Sequence, residues 1–171
     1  MNYSEFWQIM KEKSPVRVIF FCAGNICRSP YTEMKFEQMV ANSPTIPKDK
    51  FIISSFGFVE QKIPIHELTK RVLLEEGVPE ERVNRFHSRP SRKYKEEVEK
   101  ADLLIVMDKS NRDIMMPAKF KPKTILLSES VGLGEIDIKD PVLITDYSEY
   151  KAVIAKLTDL LQKLVNIIEK Q

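Results

Sequence analysis

The sequence predicts an α/β fold in which a single domain builds a mostly parallel sheet flanked by helices on both faces. Three observations carry this expectation. Four short segments dense in β-branched and aromatic residues, 17–22, 51–55, 101–107 and 123–127, have the length and composition of buried strands. Each is flanked by helical periodicity, and strands alternating with helices call for the crossover connections of parallel pairing. No repeat, low-complexity tract or linker rich in Gly, Ser or Pro divides the chain, so residues 1–171 are expected to share one core, with 1–15 as a short N-terminal extension.

Taken in order, the extension carries Phe6 and Trp7, which suit either a short packed helix or a partner contact. After the first strand, Ser29 is placed to cap a helix with Pro30 at its first position, where a missing N–H costs nothing. Tyr31, Met34 and Met39 supply the inner stripe, and the helix should end before Ser43 and Pro44. Residues 64–76 set Ile65, Leu68, Val72 and Leu73 on one face, with Gly77 following where a left-handed residue is wanted. Met115, Met116 and Phe120 read as core. In the last segment Tyr150, Val153, Ile154, Leu157, Leu161, Leu164, Val165 and Ile168 recur at helical spacing behind Asp146 and Glu149 as a capping pair, predicting a long helix laid on the sheet.

Composition excludes several function classes. The 171 residues hold 27 Lys+Arg against 25 Asp+Glu, a net charge of +2, and are 43% hydrophobic, which rules out disordered and fibrous chains and gives no reason to expect nucleic-acid binding. Two cysteines exclude a disulfide scaffold and suit a reducing, cytoplasmic compartment. Glu5, Lys11, Glu12 and Lys13 stand where a secretory signal would be apolar, and the longest apolar run, 18–23, falls far short of the roughly 20 residues that cross a bilayer, so no membrane partner is expected. His66 and His87 lack metal-ligand spacing. Arg82, Arg85, Arg89, Arg92, Lys93 and Lys95 run without an intervening acid, and form either an attractor for an anionic partner or a solvated surface beside Glu96, Glu97 and Glu99.

The chemistry is concentrated in residues 16–30, VRVIFFCAGNICRSP, where an apolar strand runs into Cys22 and a helix opens at once. A loop wrapped between strand end and helix start offers successive backbone N–H groups, and the helix N-terminus adds about half a positive charge, so the segment suits a phosphate-sized dianion. Ala23, Gly24, Asn25, Ile26, Cys27 and Ser29 would line this cradle, with Gly24 letting the backbone bend. Arg28 supplies a permanently charged fork for two phosphate oxygens. Cys22 lies at the floor as a nucleophile in a field that suits a thiolate, and Ser29 is available either to donate to its sulfur or to cap the helix. A Cys-x5-Arg spacing by itself is also compatible with a buried, inert cysteine.

CAGNICRSP resembles the signature loop of the low-molecular-weight protein tyrosine phosphatases at Cys22, Gly24, Asn25, Cys27, Arg28, Ser29 and Pro30. The likeness continues through residues 51–57, which resemble the second strand ending in a buried serine, 104–111, similar to a Met-Asp-x-x-Asn stretch, and Asp140-Pro141, which matches the Asp-Pro loop. It implies a four-stranded parallel sheet flanked by helices on both faces, with no metal and no cofactor. It also implies Cys22 as nucleophile, Arg28 as clamp on the equatorial oxygens, and Asp140 as the acid that protonates the leaving group and then activates water. Asn25 would order the loop through Ser55, with Ser54 as the register alternative; Asp137 and Glu135 lie close enough to compete with Asp140. Cys27 would either form a reversible disulfide with Cys22 or pack the loop.

The sequence departs from that family where Val142 and Leu143 follow Asp-Pro in place of aromatic residues, and Phe58 is a candidate to replace part of the missing substrate wall. Ile26 stands where relatives acting on phosphoarginine carry threonine, and two cysteines scarcely support arsenate reduction, so both activities rank behind phosphotyrosine. His87 and Arg82 match one family position equally well and receive no role. The reading is a protein tyrosine phosphatase acting on phosphotyrosine proteins or small aryl phosphates, as a monomer or weak homodimer. The alternative is a phospholigand-binding module with little turnover.

Overall fold

A computed structural model of the chain describes all of residues 1–171. Its sheet has four parallel strands in the order β2-β1-β3-β4. They are β1 (Val16–Cys22), β2 (Phe51–Gly57), β3 (Leu103–Val106) and β4 (Thr124–Leu126). β1 is a nearly unbroken apolar run because it is central and covered on both faces, as parallel strands must be. Its register sets Cys22 beside Gly57 at the carboxyl edge, where ligands bind in open parallel sheets.

One face carries the larger core. Val18, Phe20 and Cys22 of β1 with Leu103 and Ile105 of β3 meet helices α1 (Tyr3–Glu12), α2 (Arg28–Asn42), α3 (Glu67–Glu75) and α7 (Tyr147–Ile168). Short α4 (Glu80–Asn84) adds Val83. The other face is thinner: Ile19, Phe21, Phe56, Leu104 and Val106 are covered mainly by Val98 of α5 (Lys95–Lys100) and by Met116. No helix is long and apolar enough to cross a membrane.

Of the two readings open for the extension, the short packed helix is the one found: Asn2 and Glu5 close a capping box, Phe6, Trp7 and Met10 are buried, and Trp7 Nε1 donates to Ser130 O at 3.1 Å in α6 (Leu127–Ser130), so these aromatics are not a free partner contact. Several other local expectations are corrected. The inner stripe of α2 runs through Tyr31, Met34, Phe36 and Val40, while Met39 is only half-buried, because the face toward β1 continues at four-residue spacing from Phe36. A π-turn at Asn111–Met115 rotates Met115 out of the core, where its sulfur accepts from Asn111 Nδ2, and only Met116 is fully buried. α7 shares the large core but leans chiefly on α2 rather than on the strands. Asp146 accepts from Glu149 N at 2.8 Å to start α7, and Gly77 takes φ 79° after α3.

Candidate functional site

The loop after β1 closes around Cys22. α2 begins at Arg28, two residues earlier than a Ser29 cap would place it; Ser29 is its second residue and Pro30 its third, still within the turn whose N–H groups have no helical partner. Ser29 does not cap because its hydroxyl is committed elsewhere: Oγ lies 3.0 Å from Cys22 Sγ and accepts from Asn25 Nδ2 at 2.9 Å. With an acceptor position filled by the amide, the Ser29 proton is free to point at the sulfur.

The bend falls on Asn25, not on Gly24. Asn25 takes φ 53°, a left-handed conformation that asparagine tolerates better than other side chains. Its amide also donates to Ser55 Oγ at 2.8 Å and its Oδ1 accepts from Arg89 N at 2.8 Å, so every polar atom of this buried side chain is engaged. Gly24 leaves room for Gln61, whose Nε2 donates to Gly24 O at 2.8 Å. Under the loop, a Cβ on Gly57 would stand 2.9 Å from Asn25 Cβ and 3.0 Å from Ala23 O, so only glycine lets the loop settle on β2. Phe58 N and Val59 N both donate to Ala23 O, and His66 N donates to Ile26 O. None of the backbone N–H groups of residues 23–27 donates to another protein group, although the loop's carbonyls are in use.

Behind Ser55 lies a buried carboxylate. Ser55 donates to Glu33, which also pairs with Arg82 at 2.7 Å and Arg89 at 2.8 Å and is 4% exposed. The network divides the basic run: Arg82 and Arg89 serve Glu33 and Glu37 inside the fold, so the run is not one continuous anion-attracting stripe.

Arg28 is itself 2% exposed and meets two acids. It donates to Asp108 Oδ2 at 2.5 Å, Ile138 O at 2.8 Å and Asp140 Oδ2 at 3.0 Å, leaving Nε buried without a protein partner. Burial works against the guanidinium charge, but negative charge at Cys22, Asp140 and Asp108 outweighs it and holds the Arg28 pKa above its ordinary value. Asp140 is 39% exposed on its loop, turned by Val142 N donating to its Oδ1. Asp137 instead accepts from Lys109 N, and Glu135 pairs with Arg112, so neither competitor meets Arg28.

Cys27 is buried against the large core, and burial pushes its thiol up to about 12, with the neighbouring Tyr150 hydroxyl offsetting part of the rise. Both cysteines are free thiols. Val142 and Leu143 are exposed beside Asp140. Phe58 does not join them: it stacks on Phe21 with ring centroids 5.1 Å apart and packs into the thin core of the opposite face, so it does not stand in for a substrate wall. Ser54, the register alternative, is partly buried, and the hydrogen bond from Asn25 goes to Ser55. His66 caps α3 and stacks on Tyr150, and His87 is exposed. No three His, Cys, Asp or Glu side chains converge as metal ligands would.

Three residues of this constellation escaped sequence reasoning. Asp108 lay within the 104–111 stretch, but nothing local tied it to Arg28, 80 positions away. Glu33 and Arg89 were hidden in an ordinary helix face and a basic run; the usable signal was that an acid and arginines would have to neutralise each other if either turned inward.

A family model described as low molecular weight phosphotyrosine protein phosphatase matches residues 17–171. The protein is 28% identical over 153 residues to the low molecular weight protein-tyrosine-phosphatase PtpA of Staphylococcus aureus, covering 88% of this chain and 94% of that one. It superposes on the low molecular weight protein tyrosine phosphatase of T. tengcongensis with a TM-score of 0.73 and 29% identity, over 88% of this chain and 98% of the other. The arginine phosphatase YwlE of Geobacillus stearothermophilus gives a TM-score of 0.76 at 24% identity, over 91% and 94% of the two chains, a likeness of fold alone.

Proposed function

The chain belongs to the low molecular weight phosphotyrosine protein phosphatase family and is a phosphoric monoester hydrolase, and on that premise we propose that it hydrolyses aryl phosphates, phosphotyrosine in proteins among them, through a cysteinyl-phosphate on Cys22. The observation that carries this reading is the cradle: unengaged N–H groups at residues 23–27 around a sulfur that Ser29 approaches at 3.0 Å, with Arg28 held beside it.

In the first step the Cys22 sulfur lone pair forms an S–P bond as the P–O bond to the phenol breaks, and the Asp140 proton passes to the departing oxygen. Loop N–H groups and the unpartnered Nε of Arg28 are the donors we assign to the equatorial oxygens, fixed before the charge develops. In the second step a water oxygen attacks phosphorus, its proton goes to the Asp140 carboxylate, and the S–P electrons return to Cys22. Asn25, Ser55 and Ser29 act as positioning residues for the sulfur and loop. A chemistry that needs free thiols suits a reducing compartment, and the cytoplasm is the one we assign.

The apolar Ile26 and aliphatic Val142 and Leu143 favour an uncharged ring over a guanidinium next to the phosphate. Turnover of 4-nitrophenyl phosphate, a phosphotyrosine peptide and a phosphoarginine peptide, with chelator and reductant present, tests the proposal. We expect the two aryl phosphates to be hydrolysed, Cys22→Ser to release no product, and Asp140→Ala to lose about 10²-fold or more in kcat. Preference for the phosphoarginine peptide would overturn the substrate class, and phosphate binding without product would make the protein a phospholigand-binding module.

A further inference from the structure

The thin face of the sheet holds a cavity of about 240 Å³. Its wall is made by Phe21, Phe58, Val98, Met116 and Phe120, and none of residues 22–29 or Asp140 lines it. Apolar lining alone would say nothing of an occupant; the mouth does. Arg92, Lys95 and Lys119 stand around it, and of these only Lys119 is held in an ion pair, with Glu99 at 2.7 Å. Lys93, next in sequence to Arg92, is drawn away to Glu60 and does not line the cavity. Two exposed, unpaired cations thus border an aromatic pocket in a chain whose other arginines nearby are neutralised by Glu33, Glu37 and Glu81.

We propose that this cavity is a second ligand site, separate from the phosphate loop, for a small amphipathic carboxylate with an aromatic body: the ring lies against Phe21 and Phe58, and the carboxylate meets Arg92 and Lys95 at the mouth. The ring faces match the offset stacking already present between Phe21 and Phe58. The cationic mouth selects an anion, and the cavity volume limits the body to about one ring with a short chain. The site touches the phosphate loop from behind, since Phe21 precedes Cys22 and the N–H of Phe58 bonds Ala23 O at 2.9 Å.

The test is an NMR titration of the full chain with 4-phenylbutyrate, with inorganic phosphate held at saturating concentration so that the phosphate loop is occupied. We expect shifts at the Val98 and Met116 methyl groups and the Phe21 and Phe58 amides. 4-Phenylbutanol, the neutral analogue, should bind more weakly, and the double variant Arg92→Gln, Lys95→Gln should weaken the anion roughly three- to tenfold while leaving the alcohol unchanged. Both side chains are exposed, so the variant keeps the fold. The proposal is overturned if phosphate displaces the carboxylate, if acid and alcohol bind alike, or if the double variant binds the acid as tightly as the native chain.

Discussion

The two loops that meet at Arg28 are built by opposite means. In the loop after β1, Asn25 and Ser29 are fully buried, and their side-chain bonds run through Ser55 to the buried carboxylate of Glu33. The segment between α6 and α7, which carries Asp140, leaves Leu133, Ile136 and Leu143 at 46%, 50% and 89% exposure. It is tied down at separate points along its length: Ser128 Oγ on the backbone of Ile136, Glu135 on Arg112, Ile138 N on Met107 O, Asp137 on Lys109 N, and Arg28 on Ile138 O and Asp140. The difference fits what the proposed mechanism asks of each. Donors that stabilise a developing charge gain most when they need not reorganise, whereas a residue that follows the leaving group must admit leaving groups of different size.

If that contrast is right, damage at supporting residues, away from the reacting groups themselves, should be far larger on the first side. Glu33→Ala leaves Arg89 without its carboxylate, Arg82 with Glu37 alone and Ser55 without its acceptor, and we expect a loss of about 3 kcal/mol in denaturant unfolding, together with a fall in kcat as the serine that holds Asn25 is loosened. A loss no greater than that of a surface substitution would put the two loops on an equal footing.

An intermediate effect is expected at Cys27, on the buried rim of the same loop. Burial raises its pKa from 9.0 to about 12, so in that window the unfolded chain sheds its proton before the folded one does. The contribution is whole below about pH 9 and is lost as pH rises toward 12; Tyr31 and Tyr150, also raised by burial, act with the same sign. Unfolding curves through this range should fall less steeply for Cys27→Ala than for the native chain, and equal slopes would contradict the assignment.

The smallest effect belongs to Leu143, on the loop of Asp140, the proposed acid. Leu143→Ala removes an 89% exposed side chain, so stability should move by less than about 0.5 kcal/mol. If the aliphatic pair contacts the substrate ring, KM for an aryl phosphate rises by roughly threefold, on the order of one buried methylene, with kcat unchanged. A fall in kcat instead would mean that this loop is as rigidly specified as the other.

What was legible in the sequence follows the same division. The strands, the long helix behind Asp146 and the contiguous loop from Cys22 to Pro30 are written in local pattern, because neighbouring residues determine them. Of the two roles open to Ser29, it takes the Cys22 sulfur and not the helix cap, a choice decided only once the loop closes. Phe58 was misassigned for a similar reason: alternation along the extended chain past β2 puts Phe56 and Phe58 on the thin face of the sheet, and only the strand order shows which face that is. Asp108, Glu33 and Arg89 were invisible because their meaning lies in charges brought together from distant segments.

The central claim is that phosphate passes through Cys22. The direct measurement is to mix Asp140→Ala with 4-nitrophenyl phosphate, denature it within the turnover time, and map the phosphoryl group by peptide mass. The account predicts a single phosphoryl adduct on Cys22. Turnover without any adduct, or an adduct on Cys27 or Ser29, would contradict it.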